Sequence, residues 1–339
     1  MNGTEERFLP VESSEGENME RILEMLCSGE YVSGEEMSRK LGMTRAAVWK
    51  KIEQLRSEGW EIESGGKRGY RLDAGDRIDP VLWTDRLTTK ELGKGEIRYA
   101  LTLDSTNRQV KQMAVAGAPN GSLALCEEQT AGRGRLGRTW VSSPGVGLWH
   151  SLLLRPRLSP ENAPLVTFAC AMAMARALER LQIGSVMIKW PNDLIFHGKK
   201  ICGILNEVSC DMDQIEYLVL GVGLNVKNGS VPEELKDKAG CLEDYCMPPR
   251  RREILAAYLD EMERIMYALE EKGYAAIEEG YREKSCTLGN RVQVIGSETF
   301  EGTAKDMDSS GALLVEDDLG KVHRVLAGDV SVRGVMGYV

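Results

Sequence analysis

The sequence has only three histidines, His150, His197 and His323, spaced far apart, and none of its eight cysteines stands in a C-x-x-C pair. A His/Cys metal site therefore lacks ligands. A disulfide framework does not suit a chain of 339 residues whose cysteines lie mostly in apolar runs. Reduced thiols in a cytoplasmic protein are the expectation. No run approaches the ~20 apolar residues a membrane helix needs, so no membrane partner is expected. The opening MNGTEERFLPVESSEGEN lacks the basic and apolar regions of a signal peptide, and residues 1–18 read as a disordered tail. A net charge of −9 excludes nucleic-acid binding over the whole surface.

Charge is nevertheless concentrated locally. Residues 39–51 hold Arg39, Lys40, Arg45, Lys50 and Lys51 and no acid. Around them, Met19, Ile22, Leu23 and Leu26 recur at helical spacing. Ser33 and Glu36 form a capping box for a second helix, which Gly42 ends. Thr44 caps a third, with Val48, Ile52 and Leu55 on one face. Trp60 and Ile62, then Tyr70 and Leu72, alternate with polar residues around SGGKRG, as in a hairpin. Three helices and a hairpin over residues 19–73 make a winged helix-turn-helix. Its third helix would present Thr44, Arg45, Ala46, Trp49 and Lys50 to a major groove, and Lys67 and Arg68 would reach the backbone from the wing. A protein-interaction module with a solvated basic face is the alternative.

After the polar segment DAGDRIDP, residues 80–285 alternate strand-like runs (97–103, 122–128, 147–154, 186–190, 201–208, 215–226) with helix-like ones (107–116, 164–182, 250–271). This predicts an α+β domain, a mixed sheet with helices on one face. Residues 286–339 hold short strands between Gly- and Asp-containing turns and predict a small β-barrel.

Four motifs carry chemistry. EEQTAGRGRLGRTW, Glu127 to Trp140, joins Arg133, Arg135 and Arg138 to glycines that let a ligand approach the backbone. Three crowded cations need an anion, although an isolated R-G-R is usually a solvated loop. We take neither a P-loop nor a Rossmann reading for it. DSTN, Asp104 to Asn107, groups Ser105, Thr106 and Asn107 at a helix start, suited to a neutral polar head group or simply to capping. KWPNDLIFHGKKICGILNE places Lys189 and Asp193 around one turn and Lys199 and Lys200 at the next. GVGLNV, Gly221 to Val226, is a buried strand in which Asn225 needs a partner.

In this order the motifs resemble biotin–protein ligases, a match that spans most of residues 97–226. The flanking helix-turn-helix and β-barrel resemble the bifunctional subgroup, which also represses biotin synthesis genes. The resemblance implies a class II synthetase-like, biotin–lipoate ligase type of catalytic domain, with ATP and Mg²⁺ used and biotin as substrate. It implies that Ser105, Thr106, Asn107, Gln129, Arg133, Gly134, Arg135 and Lys200 bind biotin. Arg135, Arg138, Trp140, Lys189, Asp193 and Asn225 would surround ATP or the adenylate, with Asp193 a candidate support for Mg²⁺ and Glu207 a further candidate. The partners implied are a biotin carboxyl carrier protein of acetyl-CoA carboxylase, operator DNA, and a second copy of the chain once adenylate is bound. A lipoate ligase and a biotin sensor that no longer transfers biotin are the rival readings.

Overall fold

A computed structural model describes residues 7–8, 14–211, 213–296, 299–327 and 331–334. The first described element is a two-residue strand, β1 (Arg7–Phe8), antiparallel to a strand of the central sheet. Helix α1 (Ser14–Leu26) begins inside the segment expected to be a tail. It is followed by α2 (Gly34–Leu41), α3 (Arg45–Ser57) and the hairpin β2 (Glu61–Ser64) and β3 (Tyr70–Asp73). The caps are those the sequence suggests: Ser33 Oγ accepts from Glu36 N at 3.1 Å and Thr44 Oγ1 from Ala47 N at 3.2 Å. Gly42 ends α2 with φ of 66°, a conformation glycine adopts without strain. Ile22, Leu23, Leu26, Met37, Val48, Ile52 and Leu55 are the core of this module.

The central domain is built on an eight-stranded sheet ordered β1-β4-β5-β6-β10-β9-β8-β7. Its elements are β4 (Ile97–Leu103), α4 (Thr106–Val115), β5 (Leu123–Gln129), β6 (Gly147–Leu154), α5 (Ala163–Arg180), β7 (Met187–Lys189), β8 (Asp193–Phe196), β9 (Lys199–Asp211), β10 (Gln214–Asn225), α6 (Arg251–Lys272) and α7 (Glu278–Lys284). Among the strand pairs of the described residues in this sheet only β4–β5 is parallel, so the sheet is mixed.

Side-chain alternation divides the sheet's labour. Leu148, Leu152 and Leu154 of β6, with Leu218, Leu220 and Leu224 of β10, join the core that contains α5 and α6. Trp149, Ser151 and Leu153, with Val219, Gly221 and Gly223, face the other way. Helix α4 packs on this second face through Val110, Met113 and Ala114, beside Leu153 and Val219. The expected arrangement, helices on one face only, is thereby corrected. The period of two hides this, because buried strands are apolar on both faces. His150, an odd polar residue in β6, is fully buried toward α6, its ring 5.2 Å from that of Tyr258. Burial holds its pKa down to about 3, so the imidazole is neutral.

The segment DAGDRIDP is not a free linker. Asp76 accepts from Arg251 N at 2.7 Å and Arg251 Nε at 3.0 Å, and Lys227 Nζ lies 2.6 Å from it. Arg251 Nη1 donates to Gly147 O at 2.9 Å, and Nη2 lies 2.8 Å from Glu127 Oε2. One buried guanidinium thus joins the segment after the helix-turn-helix to β5 and β6.

The C-terminal unit is a five-stranded antiparallel sheet, order β14-β13-β12-β11-β15: β11 (Arg291–Ile295), β12 (Thr299–Met307), β13 (Leu313–Glu316), β14 (Val322–Val325) and β15 (Ser331–Gly334). It rests on the central domain where Trp190 Nε1 donates to Gly311 O at 3.1 Å. Among the described residues no helix is long and apolar enough to cross a membrane.

Candidate active site

The glycine-bearing face of the sheet forms the floor of a cavity of about 750 Å³, within the range of small-molecule sites. Three glycines are there because Trp140 lies across the sheet. A Cβ on Gly223 would fall 2.5 Å from Trp140 Nε1, one on Gly203 2.8 Å from Trp140 Cζ3, and one on Gly132 2.4 Å from Trp140 O. Trp140 packs edge-on against Trp149, with ring centroids 6.4 Å apart, and its own Nε1 is buried without a hydrogen-bond acceptor.

One end of the cavity is polar and neutral. Thr106 N donates to Gln129 Oε1 at 2.9 Å, and Gln129 Nε2 donates to Ser142 Oγ at 2.8 Å. Ser105, Thr106 and Asn107 sit at the buried N-terminus of α4. Gly221 makes room here as well: its Cβ would stand 2.0 Å from Asn107 Oδ1.

The other end is cationic. The segment after β5 folds back on itself, Gly134 N donating to Arg138 O at 2.7 Å and Trp140 N to Gly132 O at 3.0 Å. Gly132 to Gly137 does have the spacing G-x-G-x-x-G, yet it opens no α-helix, and the next one is α5. A dinucleotide fingerprint needs that helix. Arg133, Gly134 and Arg138 line the cavity with Arg135. Arg135 Nη1 donates to Asn192 Oδ1 at 2.9 Å, and Nη2 donates to Ala327 O of the C-terminal unit. Burial pulls the Arg135 pKa down from its ordinary value; Asp193 opposes this and Arg138 adds to it. Lys200 Nζ lies 2.7 Å from Asp193 Oδ1 and 5.3 Å from the centroid of a Trp140 ring. Lys189 and Asn225 are buried in the lining, and Asn225 Nδ2 donates to Gly240 O at 3.1 Å.

The residues expected to bind biotin and ATP line this one cavity, except the further candidate Glu207, which lies outside the lining and pairs with Lys111 and Asn107. The helix-turn-helix residues lie elsewhere: Thr44, Arg45, Ala46, Trp49, Lys50, Lys67 and Arg68 are all exposed. Arg45 pairs with Glu35, and Arg68 stacks 4.1 Å from the Tyr31 ring. Sequence reasoning missed Ser142, Ser151 and Asn192, whose roles depend on partners far along the chain. It also missed Ser230 to Ala239, which closes the cavity beside Lys200, with Lys200 N donating to Lys238 O at 2.9 Å. That stretch shows no strand or helix periodicity.

Comparison with known proteins matches three stretches of the chain. Residues 99–225 match the model of the Biotin/lipoate A/B protein ligase family, residues 18–71 an HTH domain, and residues 287–333 the Biotin protein ligase C terminal domain. The bifunctional ligase/repressor BirA of Bacillus subtilis is 33% identical over 309 residues, 89% of this chain and 94% of the relative. The chain belongs to the biotin protein ligase family. The biotin–[acetyl-CoA-carboxylase] ligase of Mycobacterium tuberculosis is 33% identical over 75% of this chain and 97% of its own. The biotin protein ligase of Aquifex aeolicus, solved in complex with biotin and ATP, superposes with a TM-score of 0.62 at 29% identity, covering 70% of this chain and 98% of that one. Within the ligase, carboxylates that could meet a cation are sparse. The cavity lining holds Asp193 and Asp237, and among the described residues no cluster of His, Cys, Asp or Glu could hold a metal ion alone. One or two carboxylates suit Mg²⁺, which is commonly shared between a protein and substrate phosphates.

Proposed function

We propose that this ligase joins biotin to ATP, giving biotinyl-5′-adenylate and pyrophosphate, and transfers biotin to one lysine of a biotin carboxyl carrier protein. The observation that carries this is a single cavity with a neutral hydrogen-bonding end and an end crowded with cations. The first end suits a ureido ring. The second suits a carboxylate meeting a triphosphate.

A carboxylate is a poor acyl donor because its leaving group would be oxide. Attack of its oxygen on the α-phosphate, with pyrophosphate departing, converts it to a mixed anhydride. The acceptor's ε-amine then attacks the acyl carbon, and AMP leaves with the electron pair. Two anions must meet in the first step, and Arg133, Arg135, Arg138, Lys189 and Lys200 offset their repulsion. Mg²⁺, when bound with ATP, neutralises phosphate charge; Asp193, with Asp237 nearby, would support it. Trp140, Asn225 and the Ser230–Ala239 segment would enclose the nucleotide end. No nucleophilic side chain is needed, since AMP carries the acyl group.

Incubating the chain with ATP, a carrier domain and either biotin or lipoate tests the reading. Streptavidin-detectable carrier is expected with biotin. Product with lipoate alone would overturn it, and no product with either acid would leave a sensor.

Arg135 ties the arginine-bearing loop to the Asn192 turn and to the C-terminal unit. Replacing it with glycine should loosen the lid over the adenylate. Loss of the two charged hydrogen bonds of Arg135, at ~1.5 kcal/mol each, corresponds to release faster by roughly 10–100-fold. Released adenylate would biotinylate lysines of bystander proteins such as serum albumin. Release at the wild-type rate would remove Arg135 from this role.

The same ordering of the loop would favour homodimerisation in the cytoplasm. Two helix-turn-helix modules would then meet a palindromic operator and repress biotin synthesis genes. Operator affinity should rise when biotin and ATP are added together. Substituting Arg45→Ala with Lys50→Ala should weaken binding to a random-sequence duplex and lower the slope of log K against log salt by about 2. Adenylate formation should be unchanged. An unaltered salt slope would place the DNA contacts elsewhere.

A further inference from the structure

The polar end of the cavity is backed by a chain of hydrogen bonds whose proton direction is fixed from outside it. Glu207 lies on β9, beyond the lining, with Lys111 Nζ 2.6 Å from its Oε1. An ion-paired carboxylate offers only acceptors. Its Oε2 takes a hydrogen from Asn107 Nδ2 at 2.7 Å. A flipped amide would set oxygen against carboxylate, so Asn107 Oδ1 must face inward, where it meets Ser151 Oγ at 2.6 Å. Two oxygens this close share a hydrogen, and only the serine has one to give. Ser151 Oγ also lies 2.7 Å from Thr106 Oγ1. With its single hydrogen spent on Asn107, Ser151 must accept there, and Thr106 must donate. Gln129 Oε1, which already accepts from the Thr106 backbone N–H at 2.9 Å, is a second and more distant acceptor for this hydroxyl at 3.2 Å, and the Ser151 contact at 2.7 Å is the shorter one.

The Thr106 hydroxyl hydrogen therefore points away from the cavity, and lone pairs remain toward the ligand. We propose that Glu207, Asn107 and Ser151 form a positioning relay that makes Thr106 an obligate hydrogen-bond acceptor, so that this end of the cavity selects a ligand ring carrying N–H. Ser151 is fully buried and neither it nor Glu207 lines the cavity, so both act through Thr106. The relay deepens the ligase reading and rests on it.

The test compares biotin with its two cyclic-carbamate analogues, each with one ring N–H replaced by oxygen. Binding is measured by calorimetry, and incorporation into a carrier domain gives KM and kcat separately. Wild-type ligase should reject one carbamate by roughly 10–100-fold, because an acceptor then faces an acceptor. In Ser151→Ala the Thr106 hydrogen is released and can turn to the ring oxygen. In Glu207→Ala the Asn107 amide can flip, with the same result. Both variants should bind biotin roughly ten-fold more weakly with kcat little changed, and the carbamate penalty should fall to about three-fold or less. Glu207→Gln still offers an accepting oxygen and should keep the discrimination. If Ser151→Ala fails to fold, Glu207→Ala carries the test. Equal discrimination in wild type and variants overturns the relay alone. Wild-type protein that neither binds nor transfers biotin overturns the ligase reading and the relay with it.

Discussion

Substituting Lys200→Met is expected to slow biotinyl-adenylate formation by roughly 10²–10³-fold, the usual cost of removing one preorganised electrostatic group. The lysine is held from several directions. Its backbone N donates to Lys238 O at 2.9 Å and its carbonyl accepts from Gly240 N at 3.0 Å. Its ammonium is set between Asp193 and the face of Trp140. A Cβ on Gly203 would come within 3.2 Å of Lys200 Nζ, so the space for that ammonium is provided by a glycine. Charge presented in fixed geometry needs no reorganisation when the two anions meet. Methionine keeps the stem's packing and removes the charge, so the loss should fall on kcat. Pyrophosphate release measures it, and a rate within two-fold of wild type would take Lys200 out of the chemistry.

The second large effect concerns stability. Replacing Arg251 with alanine should cost about 3–5 kcal/mol, since it strands buried charge. Arg251 is 2% exposed and Glu127 8% exposed. Glu127 keeps Ile78 N at 3.3 Å and Tyr99 Oη at 3.1 Å as donors, neither of them a cation. Asp76 keeps Lys227. Urea unfolding should show a lower midpoint in Arg251→Ala, and adding Glu127→Gln should restore part of the loss. An unchanged midpoint would mean that solvent reaches this seam freely.

Legibility in the sequence followed the range of the interaction. Caps, turns and strand periods are local, and the strands around Gly147 to Leu154 and Ile97 to Leu103 are found at the residues their apolar runs suggest. Strand β8 was hidden between two turn signals, PND and HGKK, because four residues are too few to show a period. The arginine-bearing loop could be seen as a cation cluster in want of an anion. That it is pinned by Asn192 and Ala327 could not, since these partners lie 57 and 192 residues away. Arg251 and Arg252 fall at the start of the helix-like run 250–271, where nothing local marks them. Only the fold brings them to Asp76 and Gly75, 175 and 177 residues earlier. Ser151 was invisible for a related reason: a small polar residue in an apolar strand carries no signal until its neighbours are known.

The strict alternation along β6 and β10 has a consequence for how such a chain can change length. Gly221 and Gly223 lie on the face that carries the cavity, and Leu220 and Leu224 on the face that joins the interior. One inserted residue inside Gly221–Asn225 would turn Leu224 toward the cavity and Gly223 toward the helices, so a single codon would disturb both the lining and the packing. Two inserted residues would restore the faces but displace everything beyond them along the strand. Additions and deletions are therefore tolerable where the strands have left the sheet, and the stretch that lines the cavity must keep its length.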